Sequence, residues 1–559
     1  MAFWSELQPE AMLLNIRLFL PALLILFAFN LGSGCSGSAP EDSVAGPMIL
    51  KAGNGTEPKE LDPHLVSGMN EHRLLSALFE GLADIDPATG DAVPAAADAW
   101  EISEDGTVYT FHIRETAKWS NGDPLTAQDF VYAWQRILTP TFGAEYAYML
   151  HCLKNAKAFN EGTLEDFSQV GVKALDDRTL EVTLAHPTPY FVSMQYHQSW
   201  FPVHKATIEQ FGAMAERGTA WTRAGNLVSN GAFTLTEWSP GEVIRVARNE
   251  HYWDKENVRL DGVEFYPIDN LVTEEREFRV GNLHMTESVP FDQIPGYQRD
   301  HPEELINHPY IGSYYYRFNV TKPPLDDRRV RRALQISLNR EMITQNVLKA
   351  GEEPAYFYTP PDTAGYTCEY KVPYDLEEAK RLLAEAGFPD GEGFPQVEIL
   401  YNTLESHKLI AEAAQRMWKE SLGINVGLYN QDWKTYLNSM DMLSYDICRS
   451  SWIADVVDPI NFLECFLSTS GNNRTGFASE EYDRLINLAY NESDVEKRKG
   501  HMQQAEALLL EEAVIVPVYF YRWVFLVKPE VQGFVPNSRG YRRWKDMYLA
   551  TDETVARAN

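Results

Sequence analysis

Cysteine is scarce: five occur in 559 residues, Cys35, Cys152, Cys368, Cys448 and Cys465, and none form a C-x-x-C pair. A zinc ribbon or a thioredoxin-like redox centre therefore has nothing to build on. The four beyond Cys35 are widely spaced, which leaves buried free thiols and disulfides equally open. Basic residues are also few, with 49 Lys plus Arg against 80 Asp plus Glu and a net charge of -31. Such a surface repels phosphate backbones and excludes nucleic acid as a partner. It favours cationic solutes weakly and in a salt-dependent way, although solubility alone accounts for it. The chain has no G-x-x-x-x-G-K-[ST], H-E-x-x-H, EF-hand loop or G-x-S-x-G elbow. Its 13 histidines lack metal-ligand spacing. Carboxylate pairs carry no weight among so many acids. These absences argue against an enzyme and against a resident metal or cofactor.

What is present begins with size. A chain of 559 residues exceeds what one hydrophobic core serves, so two or three lobes are expected. Apolar residues at 44% and charged residues at 23% are the balance of a globular protein. Aromatics reach 12%, a supply that suits either core or the amphipathic walls of a cleft. Leu13 to Leu31 is almost continuously apolar, Arg17 stands near its start, and Gly32-Ser33-Gly34-Cys35 closes it. That order is a secretory signal, with Met12 as an alternative start. The run is long enough to span a bilayer, but Ser36 to Pro47 is a linker without a basic stop-transfer cluster. The segment resembles a bacterial lipoprotein signal. The resemblance implies a lipidated Cys35 at the mature N-terminus, which holds a protein on a membrane without spanning it. Gly32 stands where that pattern prefers Leu, and Ser36 permits sorting to an outer membrane.

Beyond the linker two textures alternate, without internal repeats. From about Asn70 to Lys205 the pattern is mixed α+β. Tyr109, Phe111 and Ile113 alternate with polar residues as in a half-buried strand. Thr126 and Asp129 then open a helix that buries Phe130, Trp134, Ile137 and Leu138. From about Tyr374 to Trp452 helices and strands alternate. Asp375 and Glu378 form a capping box, and Leu376, Ala379, Leu382, Leu383 and Ala386 form the buried face behind it. Strands are expected at Val397 to Tyr401, Ile424 to Tyr429 and Tyr445 to about Ser451. Helices are expected at about Ser406 to Leu422 and around Lys434 to Met440. Alternation of this kind implies a mostly parallel sheet. Ligands of open α/β sheets sit beyond the carboxyl ends of the strands. His407, Trp433 and the stretch Arg449 to Asp455 fall there, far apart in sequence but gathered by the topology. Asp455, flanked by Trp452, Ile453, Ala454 and Val456, is either a structural cap or a counter-ion for a ligand ammonium. Arg449 suits a carboxylate through bidentate geometry, or ties a sheet edge to an acid.

The run Lys118-Trp119-Ser120-Asn121-Gly122-Asp123-Pro124-Leu125-Thr126-Ala127-Gln128-Asp129-Phe130 carries a family resemblance. Supporting blocks are Glu57 to His64, Phe79 to Leu82, Ser229 to Phe233, Asp327 to Arg331 and Ala513 to Tyr519. From Leu50 to about Leu549 the chain resembles the solute-binding proteins of peptide ABC importers, family 5, and among them the oligopeptide-binding proteins. The resemblance implies an α/β, periplasmic-binding-protein-like fold, a two-lobed cleft with a third, inserted α+β lobe. After a signal at 1–35 and a linker at 36–47, lobe I takes 48–69, 206–311 and 523–550. Lobe II takes 70–205, and lobe III takes 312–522. It also implies a monomeric, non-enzymatic lipoprotein of the periplasm or cell surface that delivers short peptides to permease subunits. A murein peptide, dipeptide, nickel or haem ligand, or a secreted peptidase, is the alternative. By position, Asp455 matches the aspartate that binds the peptide ammonium, and Arg449 and His407 match residues serving the peptide carboxylate. Glu57 matches a cleft-lining acid and Trp433 an aromatic wall, a task shared by Tyr146 and Tyr315. Relatives carry a cysteine pair where this chain has Gly312 and Ile453, so that disulfide is absent here.

Overall fold

The computed structural model describes residues 46–188, 190–492 and 494–550. The apolar leader and Cys35 lie outside the described residues. No helix among the described residues is long and apolar enough to cross a membrane. From Pro47 onward the described residues pack as one unit.

Its framework is two four-stranded sheets and one six-stranded sheet, with two small hairpin pairs beside them. The first sheet joins Ile49–Gly53, Gly262–Tyr266, Val243–Arg248 and Phe233–Ser239. The second joins Ala97–Ile102, Val108–Ile113, Thr179–Thr183 and Val172–Ala174. In Val108–Ile113 the alternation does what its pattern predicts: Tyr109, Phe111 and Ile113 are buried. The helix Ala127–Leu138 packs on this second sheet. The Thr126 amide donates to Asp129 Oδ2 at 2.7 Å, which satisfies one of the orphan donors at its start. Its Arg136 is fully buried and forks onto Asp62 at 2.6 and 2.8 Å, tying the helix to the segment that follows strand Ile49–Gly53. Burial by itself would raise the Asp62 carboxyl; the Arg136 guanidinium outweighs it and holds the carboxyl below its ordinary range.

The six-stranded sheet runs Glu353–Pro354, Ile515–Leu526, Leu305–Phe318, Ile447–Ile453, Val397–Asn402, Val426–Gln431. Only half of it fits the expected parallel pattern. Val397–Asn402 is parallel to both Val426–Gln431 and Ile447–Ile453, but Leu305–Phe318 is antiparallel to its two neighbours. The antiparallel partners come from far along the chain, beyond the reach of a helix-strand alternation. The later strands start two residues after their expected positions, because side-chain period fixes a strand better than its ends. Helix Leu376–Glu385 starts as expected, with Asp375 Oδ1 accepting from the Glu378 amide at 3.0 Å. The capping box is half-made, since the Glu378 carboxylate turns to Arg381 at 2.6 and 2.7 Å. Charge pairing on an exposed face wins over the backbone bond. Of the expected buried face, Ala379 and Leu383 are buried, and Leu376, Leu382 and Ala386 are half-buried. Cys152, Cys368, Cys448 and Cys465 are free thiols.

Two strands of the large sheet, Leu305–Phe318 and Ile515–Leu526, run through the positions 311/312 and 522/523 where lobe I was expected to meet lobe III. Their ladder breaks register between Pro309 and Ser313. A bulge at that place bends the pair and raises its local twist. Gly312 lies there, opposite Ile453 on the neighbouring strand. A Cβ at Gly312 would sit 2.3 Å from Ile453 Cδ1, so the Ile side chain occupies the space that glycine leaves. Gly312 and Ile453 are thus direct cross-strand neighbours, a small-large pair that fills the bulge.

Candidate ligand-binding site

Strand Ile447–Ile453 is paired with Leu305–Phe318 along its length, but with Val397–Asn402 only at Ile447 and Cys448. From Arg449 on, its second edge is open to a cavity of about 290 Å³. The chain thus brings Asp455, Arg449, His407, Trp433 and Tyr146 to one cavity wall. Asn54 to Thr56, Ser67 to Asn70, Arg73, Tyr519 and Tyr521 to Val524 also line the cavity.

Asp455 is only 8% exposed and is held in place from behind. Its amide donates to Asn461 Oδ1 at 2.9 Å, and its carbonyl accepts from the Tyr196 hydroxyl at 2.9 Å. His197 Nε2 lies 3.3 Å from Asp455 Oδ1. The Ser199 amide donates to His197 Nδ1 at 3.3 Å, so Nδ1 accepts and Nε2 is the nitrogen that donates to the carboxylate. Asn461 Nδ2 donates to the other carboxylate oxygen at 3.5 Å. A carboxylate offers about four acceptor sites, so Asp455 keeps capacity for a cation from the cavity.

Arg449 is 7% exposed and pairs with no carboxylate among the described residues. Its Nη2 donates to the Tyr521 hydroxyl at 2.8 Å and its Nη1 to Asn402 Oδ1 at 3.3 Å, while Nε has no partner. The guanidinium lies 4.9 Å from the centre of the Tyr314 ring. A buried cation supported only by neutral groups is prepared for an anion. His407 stands beside it near the start of helix Glu405–Leu422. Burial, and then the Arg449 charge, hold its imidazole well below the ordinary value, so it is neutral and its unpartnered Nδ1 is free to take part in a hydrogen bond.

Trp433 is the first residue of helix Trp433–Asp441, capped by Asp432. Its indole stacks on Tyr436 and donates to Glu71 Oε1 at 2.9 Å. Tyr146 stacks on Trp452 at 6.2 Å and touches the His197 ring at 4.6 Å. Arg474 grips Glu145 and, at 2.7 Å, Asp441. The Trp433–Glu71, Arg474–Glu145 and Tyr196–Asp455 contacts close the cavity from both sides.

Two expected residues lie elsewhere. Glu57 does not line the cavity: its carboxylate accepts from the Trp238 indole at 2.7 Å and the Gly241 amide at 3.0 Å, pinning a hairpin of the first sheet. Tyr315 is fully buried within the large sheet, against Tyr358 and Phe466. Its neighbour Tyr314 is equally buried and supports the site from beneath Arg449, outside the cavity lining. His197, Asn461, Tyr521, Arg317 and Arg474 were not among the expected site residues. A Tyr-His-Gln-Ser run has no local pattern that points to an aspartate 258 residues away. Asp455, His197 and Ser199 have the composition of an acyl-transfer triad, with Ser199 Oγ 2.8 Å from His197 Nδ1. Ser199 is 0% exposed and outside the cavity lining, so this hydroxyl is not presented to a ligand. The cavity also reverses the sign of the surface, with five arginines on its wall against three carboxylates.

The model of the bacterial extracellular solute-binding proteins, family 5, matches residues 91–474. The chain belongs to this family. The periplasmic oligopeptide-binding protein OppA of Escherichia coli is 38% identical over 521 residues, covering 91% of this chain and 93% of that protein. The murein tripeptide binding protein MppA of Escherichia coli has a solved structure that superposes with a TM-score of 0.86 at 36% identity, covering 91% of this chain and 99% of that one. Haemophilus influenzae OppA in complex with RPPGFSPFR gives a TM-score of 0.85 at 34% identity, covering 91% and 100%. The unliganded open form of MppA gives only 0.60 at the same 36% identity, again over 91% and 99%. Two forms of one relative thus separate by arrangement and not by sequence. This family member is far from the open arrangement, in agreement with the contacts that close its cavity.

Proposed function

We propose that this family 5 protein captures short peptides with free termini outside the cytoplasm and delivers them to the permease of an ABC importer. The observation that carries this reading is one strand with an open edge, bearing an unpaired guanidinium where the edge opens and followed by a buried acid two residues past its end. Asp455 takes the peptide ammonium. Arg449, with the neutral His407 beside it, takes the carboxylate. The peptide main chain adds to the free edge at Ser450 to Ile453, a pairing that ignores side-chain identity. The six residue steps from Arg449 to Asp455, the last two beyond the strand, span at most about 20 Å, and an extended peptide needs about 3.3–3.6 Å per residue. Ligands of up to about six residues therefore fit between the two charges. A cavity of about 290 Å³ lies at the lower end of the range for small-molecule sites, in keeping with short ligands.

The ligand touches residues on both sides of the cleft and so favours the closed arrangement over the open one. Hydrolysis of ATP belongs to the transporter. Acylation of Cys35 holds the protein at the membrane while the described unit works in solution. In the test, tripeptides and pentapeptides are titrated calorimetrically into the purified protein, each also in N-acetylated form. Micromolar or tighter binding that acetylation abolishes supports the reading. Failure of every free peptide to bind refutes it.

A further inference from the structure

The cavity wall holds one cation that neither its own carboxylates nor the two ends of a peptide account for. Arg73 is paired with Glu287, and Arg474 with Glu145 and Asp441. Arg522 is half-exposed, bonded to Asn307, with Glu352 as its neighbouring carboxylate. Arg449 is given to the ligand's terminal carboxylate by the reading above. Arg317 is left. It is 4% exposed, lines the cavity, and pairs with no carboxylate among the described residues. Its Nη2 donates to the Tyr315 hydroxyl at 2.9 Å and its Nη1 to the Asn472 carbonyl at 3.3 Å, while Nε has no partner. Asn472, 3% exposed, lines the same cavity, and neither its Oδ1 nor its Nδ2 has a partner. A buried amide with both ends unsatisfied costs free energy unless a ligand completes it.

Position separates this place from the one assigned to the peptide terminus. Tyr316 lies opposite Arg449 in the sheet, and Arg317 lies opposite Cys448. Directly paired residues share a face and neighbours along a strand alternate, so Arg449 and Arg317 belong to opposite faces. An extended ligand on the open edge also alternates. While its carboxylate meets Arg449, a side chain turned the other way meets Arg317.

We propose that Arg317 and Asn472 form a side-chain subsite for a carboxylate, so that the protein prefers peptides with an acidic residue at the position facing them. The inference rests on the peptide-binding reading. A guanidinium edge beside an amide N–H suits a planar, singly charged carboxylate. A dianion such as a phosphoryl group is disfavoured, because Glu145 and Asp441 more than neutralise the adjacent Arg474 and leave Arg317 as the one uncompensated cation there.

In the experiment, a tetrapeptide with free termini is titrated into the full chain with Glu, and separately Gln, at each position in turn. One position is expected to show a Glu over Gln preference of about ten- to a hundred-fold, the size of a charge-assisted hydrogen bond in a buried site. Arg317→Met is expected to abolish that preference and to leave the Gln peptide within about threefold of wild type, which also reports a folded cleft. Should that variant fail to melt cooperatively, Asn472→Leu is used, and several-fold loss of the preference is expected. Equal binding of Glu and Gln peptides at every position overturns the subsite and leaves peptide capture intact. So does a preference that survives these substitutions. No binding of any peptide to the wild-type chain overturns both readings.

Discussion

Replacing Asp455 by Asn tests the site at its most exposed assumption. The carboxylate is 8% exposed, and its amide and carbonyl are fixed by Asn461 and Tyr196, so Asp455→Asn keeps shape and backbone anchoring. What changes is charge. A ligand ammonium drawn into this place then meets a neutral amide, with His197 Nε2 and Asn461 Nδ2 both donating towards it. Truncating one partner of a buried, hydrogen-bonded charge pair costs about 2–5 kcal/mol. That corresponds to a rise in Kd of about thirty- to four-thousand-fold. Calorimetry with a free tripeptide measures it, with the N-acetylated tripeptide as the second arm. The acetylated peptide is expected to lose nearly as much on the wild-type protein and little more on the variant, because the two changes remove the same interaction. A variant within about threefold of wild type for the free peptide would refute the role of Asp455. Fully additive losses would place the ammonium elsewhere.

Glu71 offers a pH test. Burial pushes its carboxyl up to about 7, while bonds from the Lys59 amide and the Trp433 indole act in the opposite direction, and Oε2 is left without a partner, the place for the proton. A carboxyl raised in the folded state stabilises below its ordinary value of 4.5 and loses that contribution as pH rises to about 7. Glu71→Gln is therefore expected to flatten the fall in Tm between pH 5 and pH 8 by roughly 3 °C, read by calorimetric melting; an identical pH profile would refute the assignment. Glu57→Gln is expected to lower the stability by about 1–2 kcal/mol through the Trp238 and Gly241 bonds, read as a fall in Tm, and to leave peptide Kd unchanged, since Glu57 is off the cavity. A change in Kd would return Glu57 to the cleft. Gly312→Cys with Ile453→Cys is expected to form a disulfide, because directly opposed strand residues bring their Cα atoms within bridging distance. Loss of both new thiols by mass spectrometry, with stabilisation of up to about 4–5 kcal/mol, checks it. Persistent free thiols would show that the register differs.

Much of the site was legible before any coordinate. Asp455, Arg449, His407 and Trp433 stand at strand and helix ends within the alternating part of the chain, and topology sends such ends to one edge. Helix starts were equally local, since Thr126 and Asp375 act within three residues. Sequence pattern did not reach the antiparallel half of the large sheet, whose strands 305–318 and 515–526 come from distant parts of the chain and cross the expected lobe boundaries. Nor did it reach Tyr315, which looked like a wall residue but is buried under Tyr358 and Phe466 and meets the cavity only through the Arg317 guanidinium bonded to its hydroxyl. Glu57 shows the same limit. Its type and place fit a cleft acid, yet a hairpin indole and amide some 180 residues on took both oxygens.

The sequence by itself determined the family, the class of chemistry and the residues with charge to offer, because composition, local period and capping act over a few residues. Only tertiary structure decided which of those charges stay unpaired. Of the five arginines on the cavity wall, packing supplies carboxylates or a half-exposed place to Arg73, Arg474 and Arg522, and withholds both from Arg449 and Arg317. A guanidinium is the same group wherever it stands. Whether it is spent inside the fold or kept for a ligand depends on what distant segments bring within hydrogen-bond reach, and in the low dielectric of a buried cleft that difference sets the site.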